Sequence, residues 1–423
     1  MQKILARLNP QQLAAVQQTS GPVLVLAGAG SGKTSVITSK IAYLIRNQGL
    51  KARNICALTF TNKAAKEMQS RVSQLLGKEE TRGLKVSTFH SLGLDILRRE
   101  TQLAGLKSGF SLFDSEDSRT LIKDLMHKDN QDDNDRVNQV QNIISNWKNA
   151  LLEPGQLNIG EDDPAAQLAA KVYPVYNRHL LAYNAVDFDD LIRLPTLLFS
   201  TNQELLHKWQ GILRYLLVDE YQDTNTSQYK LVRLLAGHRQ NFTLVGDDDQ
   251  SIYAWRGAQP ENINLLSEDY PSLEVIKLEQ NYRSTERILK AANQLISNNP
   301  HLHQKNLWSQ LGYGEPIKVM ECASEEAEAE RVAGEILTLK MGNHLNWKDF
   351  AVLYRSNFQS RILEIKLQML QIPYKISGGT SFFARNEIKD VMAYLRLLVN
   401  PSDDNAFLRI INLPRRKIGC NII

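Results

Sequence analysis

Short apolar runs that break off at small or acidic residues alternate with amphipathic stretches along most of this chain. Residues 23–26 (VLVL) stop at a glycine-rich segment, after which Val36, Ile37, Ile41, Leu44 and Ile45 recur at helical spacing. That order predicts a strand, a tight loop and a helix. The run at 215–218 (YLLV) ends in acids, and so does the run at 243–246 (TLVG). VIKLEQN (275–281) and FAVLYRS (350–356) read as strands of a second α/β unit. Between about 88 and 200 the pattern changes. RTLIKDLM (119–126) and VNQVQNIISNWKNALL (137–152) are helical, and no strand pair is evident there. Pro154–Gly155 and Asp163–Pro164 punctuate helices, and DNQDDNDR (129–136) reads as a solvated loop. The expected fold is α/β, with a mainly helical subdomain inserted into the first domain.

Composition narrows the class without naming a partner. A chain of 423 residues, 43% hydrophobic and 23% charged, is that of a soluble globular protein of two to four domains, at about 150 residues each. Its 50 basic and 46 acidic residues leave a net charge of +4, so any nucleic-acid surface must be local. Cys56, Cys322 and Cys420 lie far apart, which suggests reduced thiols, a cytoplasmic protein and no metal-ligand spacing. No apolar run approaches the length of a membrane span, and the N-terminus lacks a signal-peptide core.

The chemistry concentrates at the ends of the predicted strands. AGAGSGKT comprises Ala27, Gly28, Ala29, Gly30, Ser31, Gly32, Lys33 and Thr34. Its glycines let backbone N–H groups turn inward, and the helix that follows adds partial positive charge, a combination that binds phosphate. Lys33 can reach the β- and γ-phosphates of ATP, and the Thr34 hydroxyl can ligate Mg²⁺. The first position of the usual pattern is Ala27 where glycine is commoner. In LLVDEYQD (216–223), Asp219 is placed to hold Mg²⁺ and Glu220 to orient and deprotonate water. These two motifs are too far apart for a few βα units, which again requires an insertion. In TLVGDDDQSIYAWRGA (243–258), Gln250 can sense a γ-phosphate by donating and accepting hydrogen bonds. Tyr253, Trp255 and Arg256 offer planes on which unpaired bases stack, although read alone the aromatics are as well spent in a core.

Further motifs follow the same order as in a known family. LNPQQ (8–12), TFTNKAAKEM (59–68), STFH (87–90), QNYRS (280–284), LYRSNFQSR (353–361) and GGTSFFARNEIKD (378–390) join the three above. From Leu8 to about Gly419 the chain resembles the superfamily 1 DNA helicases of the UvrD/Rep type. The resemblance implies that Gln12 reads adenine, Tyr282 stacks on it and Arg283 reaches the γ-phosphate. It implies single-strand contacts from Phe60, His90, Tyr253, Trp255 and Arg256. It also implies an ATP- and Mg²⁺-dependent 3′–5′ helicase and DNA-stimulated ATPase of replication or repair, acting on single-stranded and 3′-tailed duplex DNA, away from membranes.

The architecture implied is a P-loop (RecA-like) motor domain from residues 1–88 and 201–279 with a helical subdomain at 89–200. Residues 280–377 then begin a second RecA-like domain, and 378–423 begin its helical insert. Two features depart from the family. Ser35 stands where close members carry arginine, and the final CNII resembles nothing expected there. Family members continue for about another 250 residues, a domain-sized extension. The expectation is therefore a partial second motor, with an apolar face exposed on IKDVMAYLRLLV (388–399). The alternative function is a fragment that holds ATP and single-stranded DNA without unwinding.

Overall fold

The computed structural model describes residues 1–127, 134–160, 162–254, 257–259, 261–299, 304–377 and 385–418. Ten strands occur among them: β1 (Pro22–Ala27), β2 (Ile55–Thr59), β3 (Lys85–Thr88), β4 (Ser111–Leu112), β5 (Ala185–Val186), β6 (Tyr215–Val218), β7 (Phe242–Gly246), β8 (Glu274–Leu278), β9 (Gln280–Asn281) and β10 (Trp308–Ser309). The chain divides into two compact units, Met1–Gly314 with Tyr394–Ile423, and Glu315–Ala393, and all ten strands belong to the first.

The first unit is built on a six-stranded parallel sheet in the order β3-β2-β6-β7-β1-β8. Its four inner strands β1, β2, β6 and β7 are buried along their whole length, because both faces of the sheet are covered. Along β1 the alternation is strict. Leu24 and Leu26 enter a core with Phe89, Phe199 and Trp209, while Val23 and Val25 enter another with Val36, Ile41 and Val72. The helix Lys33–Arg46 follows β1, as the spacing predicts. Because the sheet is parallel, the C-terminal ends of its strands share one edge, where α/β proteins place ligands.

Two expectations about strands are corrected. VIKLEQN does not start a second sheet: β8 pairs with β1, Val25 opposite Ile276, and closes the edge of the first. Burial of Ile276 and Leu278 in the core that holds Val23 and Val25 decides this. Only β9 separates from it, pairing with β10. FAVLYRS carries no strand among the described residues, and Leu353 is largely exposed.

Between β3 and β6 the chain is mainly helical, with helices Ser115–His127, Asn134–Asn149, Pro164–Ala182 and Asp190–Thr201. Pro164 opens its helix under an Asp163 cap. A strand pair is nonetheless present: β4 lies parallel to β5. Two residues per strand are too few to show a period, and the pairing spans more than seventy positions of chain. Lys148 is fully buried between Asp187 (2.6 Å) and Asp190 (2.8 Å), with Arg193 on Asp190 (3.0 Å). Most of DNQDDNDR lies outside the described residues, as do 378–384 and CNII.

In the second unit the helices Glu325–Asn343 and Ser360–Met369 enclose a small core of Ala333, Leu367 and Ile372. Beside it is an open hollow of about 730 Å³ lined in part by Trp347, Phe350 and Tyr374. On the helix Asn386–Val399, Val391, Leu395, Leu398 and Val399 are at least half exposed, which is the apolar face expected. Among the described residues no helix is long and apolar enough to cross a membrane.

Candidate nucleotide site and nucleic-acid face

The loop after β1 is shaped by glycine where the backbone demands it. Gly32 caps the following helix at φ 88°, ψ 28°, a left-handed conformation that side chains disfavour. A Cβ there would sit 2.7 Å from Gln12 Nε2. Gln12 is buried and donates to the Ser31 carbonyl (2.8 Å), while its Oε1 accepts from the Asn9 amide (3.1 Å). Asn9 in turn caps its helix by accepting from the Gln12 amide (2.7 Å). Gln12 is thus fixed against the loop on which a nucleotide would rest.

β6 delivers the acids. Asp219 is buried, and its carboxyl is pushed up to about 6 by burial first and by Glu220 second, against the pull of Lys33. Asp223 is pushed up to about 6 by the same causes, and its Oδ1 is buried without a partner. Glu220 adopts φ 53°, ψ 44°, a strained backbone for a residue with a Cβ. Its Oε2 accepts from Lys33 Nζ at 3.2 Å. Three carboxyl groups therefore crowd one lysine, an arrangement that a divalent cation would relieve. Asp219, the most buried of the three, is a donor suited to such a cation.

Gln222, also buried, joins two motifs. It donates to Glu220 Oε2 (3.0 Å) and accepts from the Asp247 amide at the end of β7 (2.9 Å). Gly246 permits this, since a Cβ would come within 2.8 Å of Gln222 Oε1. Gln250 donates to Asp247 Oδ2 (2.5 Å). Asp247, Asp248 and Asp249 form a tight acidic group, into which Lys305 extends a side chain only 1% exposed, 2.6 Å from Asp247 and 3.1 Å from Asp249. Burial opposes the charge of Lys305, but Asp247 and Asp248 outweigh it and hold its pKa above the usual value. This is an internal ion pair with its cation already supplied by the chain.

The QNYRS segment lies against the glycine-rich loop after β1. The Tyr282 amide donates to the Gly30 carbonyl (2.9 Å), and Asn281 Nδ2 to the Ala29 carbonyl (2.5 Å). The Tyr282 hydroxyl accepts from Asn9 Nδ2 (2.9 Å) and donates to Gln280 (2.9 Å). Arg283 is exposed. Leu307 covers Gly28, where a Cβ would be 2.2 Å from its Cδ2.

Of the expected single-strand contacts, Phe60 and His90 lie at the same edge of the sheet. Phe60 follows β2 and packs on Phe89, ring centroids 5.7 Å apart. His90 follows β3 and meets the exposed Phe188 edge-on at 6.0 Å; burial lowers its pKa. Tyr253 is 40% exposed, so it is not spent in the core. Trp255 and Arg256 lie outside the described residues.

The sequence reading passed over Asn9, Gln222, Asn281, Lys305 and Phe188. Asn9 had a signal, since Asn-Pro with a glutamine three positions on is a capping box. Lys305 and Phe188 had none, because their partners are distant in the chain, as are Asp247 for Gln222 and Ala29 for Asn281.

Comparison with known proteins bears on the same residues. The family described as UvrD/REP helicase N-terminal domain matches residues 8–271, and the UvrD-like helicase C-terminal domain matches 276–423. The ATP-dependent DNA helicase Rep of Salmonella typhimurium (strain LT2) is 59% identical over 98% of this chain and 61% of its own length. Rep of Escherichia coli (strain K12) gives the same figures. The ATP-dependent DNA helicase PcrA of Leuconostoc citreum is 44% identical over 97% of this chain and 55% of its own. The chain thus spans less than two thirds of the curated relatives it matches.

Proposed function

Because the chain belongs to the UvrD/Rep helicase family, we propose that it binds ATP with Mg²⁺ at the edge formed by β1, β6 and β7 and hydrolyses it in response to single-stranded DNA, as the motor of a 3′–5′ helicase of replication or repair in the cytoplasm. The domain assignment that goes with this is a first RecA-like motor at 1–88 and 201–279, its helical insert at 89–200, the start of a second motor at 280–377 and of a second insert at 378–423. The observation that carries the reading is the ion pair of Lys33 with Glu220 (3.2 Å) beside the buried Asp219, with Tyr282 hydrogen-bonded to Gly30 at the loop mouth.

The chemistry follows from those contacts. Asp219 and the Thr34 hydroxyl are the groups to hold Mg²⁺, which when bound neutralises charge on the β- and γ-phosphates. Lys33 exchanges the Glu220 carboxylate for phosphate oxygens, and Glu220 is left free to take a proton from water at Oε2. Gln12 and Tyr282 are the groups for adenine. Arg283, exposed now, gains a charge-assisted contact only with a γ-phosphate. Phe60, His90, Phe188, Tyr253, Trp255 and Arg256 are the stacking and phosphate groups for a single strand, each stack worth about 1–3 kcal/mol per base.

A second reading, a module that binds ATP and DNA without unwinding, draws on the absence of any strand among the described residues of Glu315–Ala393. Hydrolysis of ATP by the purified chain with and without oligothymidylate separates the two. DNA-stimulated hydrolysis that falls at least about 100-fold in Glu220→Gln, with nucleotide still bound, supports the motor. Binding without stimulated hydrolysis supports the module, and loss of neither binding nor hydrolysis in Lys33→Ala refutes both.

A further inference from the structure

The opposite edge of the large sheet carries a second concave surface that the nucleotide and DNA chemistry does not use. A hollow of about 820 Å³ opens where β2, β3 and β6 begin, lined by Lys51, Arg53, Lys85, Arg99 and Arg214. β2 is five residues long, so Arg53 and Phe60 are separated by roughly 17 Å of strand. The hollow and the single-strand face lie on opposite edges.

Its charge is one-sided. Asp95 is the carboxylate in contact with these cations, paired with Lys85 and with Arg99 Nε (2.9 Å). Lys51, Arg53 and Arg214 are exposed and have no carboxylate partner among the described residues. Five cations against one carboxylate give this one site as much excess charge as the whole chain's net +4. Like charges held together without counter-charges cost energy that an anionic ligand recovers.

The shape selects among anions. A DNA duplex is convex and rigid and does not enter a hollow of this volume, while single strands are held by aromatic platforms, of which the lining has none. Leu50 and Ile212 contribute an apolar floor among the cations. At Gly49 and Gly211 a Cβ would meet nothing within 4 Å, so the rim is open to an extended chain. We propose that this hollow docks an acidic peptide segment of a partner protein. Its carboxylates pair with the guanidinium forks of Arg53, Arg99 and Arg214, and an apolar side chain rests on Leu50 and Ile212.

The test uses fluorescence anisotropy with a labelled eight-residue peptide of aspartate, glutamate and leucine. The controls are its asparagine–glutamine–leucine counterpart and an oligothymidylate. The expected result is salt-sensitive binding of the acidic peptide, weakened at least tenfold in Arg53→Glu/Arg214→Glu. Lys3→Glu/Arg7→Glu, which removes the same charge from exposed positions elsewhere, should bind as the parent does. The milder Arg53→Gln/Arg214→Gln pair, with an unchanged melting curve, separates lost docking from lost folding. No binding of the acidic peptide, equal binding of the neutral one, or affinity that survives both pairs overturns the proposal. Oligothymidylate bound through Arg53 and Arg214 in place of the peptide also overturns it.

Discussion

Asp219 is a carboxyl group whose buried position costs the fold stability. Folded, it titrates near 6 because of burial and Glu220; unfolded, it titrates at the ordinary 3.8. Between those values the folded state keeps a proton that the unfolded state has released, so stability falls as pH rises through the window. Above it the loss is constant, at about 3 kcal/mol for a shift of this size. Asp219→Asn should therefore melt higher than the parent at pH 7.5, with the difference vanishing near pH 4, while its stabilisation by Mg²⁺ with ATP is weakened. Equal melting temperatures at both pH values would refute the assignment. Gln222 poses a separate question at this scale, since it holds both the Glu220 carboxylate and the Asp247 amide. Gln222→Leu leaves that buried amide unpaired, at a cost of about 1–3 kcal/mol. Nucleotide should still bind, but hydrolysis should lose its response to DNA. Retained stimulation, measured as the ratio of rates with and without oligothymidylate, would leave Gln222 a structural residue only.

Elements are held at distances that single atoms can violate. Gly93 lies within the helix Phe89–Arg99, where alanine would ordinarily gain about 1 kcal/mol of helix propensity. Here its Cβ would come 1.7 Å from the Leu191 carbonyl oxygen, backbone of the neighbouring helix Asp190–Thr201. No side-chain rotation relieves that contact. Overpacking costs about 1–3 kcal/mol and occasionally more, so the clash outweighs the propensity. Gly93→Ala should lower the urea midpoint, and an unchanged or raised midpoint would show that the two helices can part freely. The same helix carries His90 at its start, so separation of the pair should also weaken binding of oligothymidylate.

For the whole molecule, unwinding requires force to pass between two folded halves that each grip the strand. The first unit has a covered six-stranded sheet, whereas Glu315–Ala393 has a small helical core and no strand among its described residues. This chain alone should bind single-stranded DNA weakly, with affinity falling steeply in salt. It should also give no processive strand displacement on a 3′-tailed duplex. Robust ATP-driven displacement by the purified chain would mean that a second sheet is dispensable to unwinding.

The glycine loop between β1 and its helix, the acids at the end of β6 and the helices between β3 and β6 were legible in the sequence because each is local. A glycine loop between an apolar run and a helical pattern, or acids at a strand end, declare themselves within about ten residues. Tertiary structure alone decided what depends on distant partners. The edge of the sheet to which β8 belongs was set by burial of Ile276 and Leu278 against β1. The pairing of β4 with β5, the bridge that Gln222 makes to Asp247 and the entry of Lys305 into the acidic group have no local pattern either. The physical reason is common to all of them. Short-range spacing records the period of an element, whereas the choice of partner is made by the surface that element buries once the chain has closed.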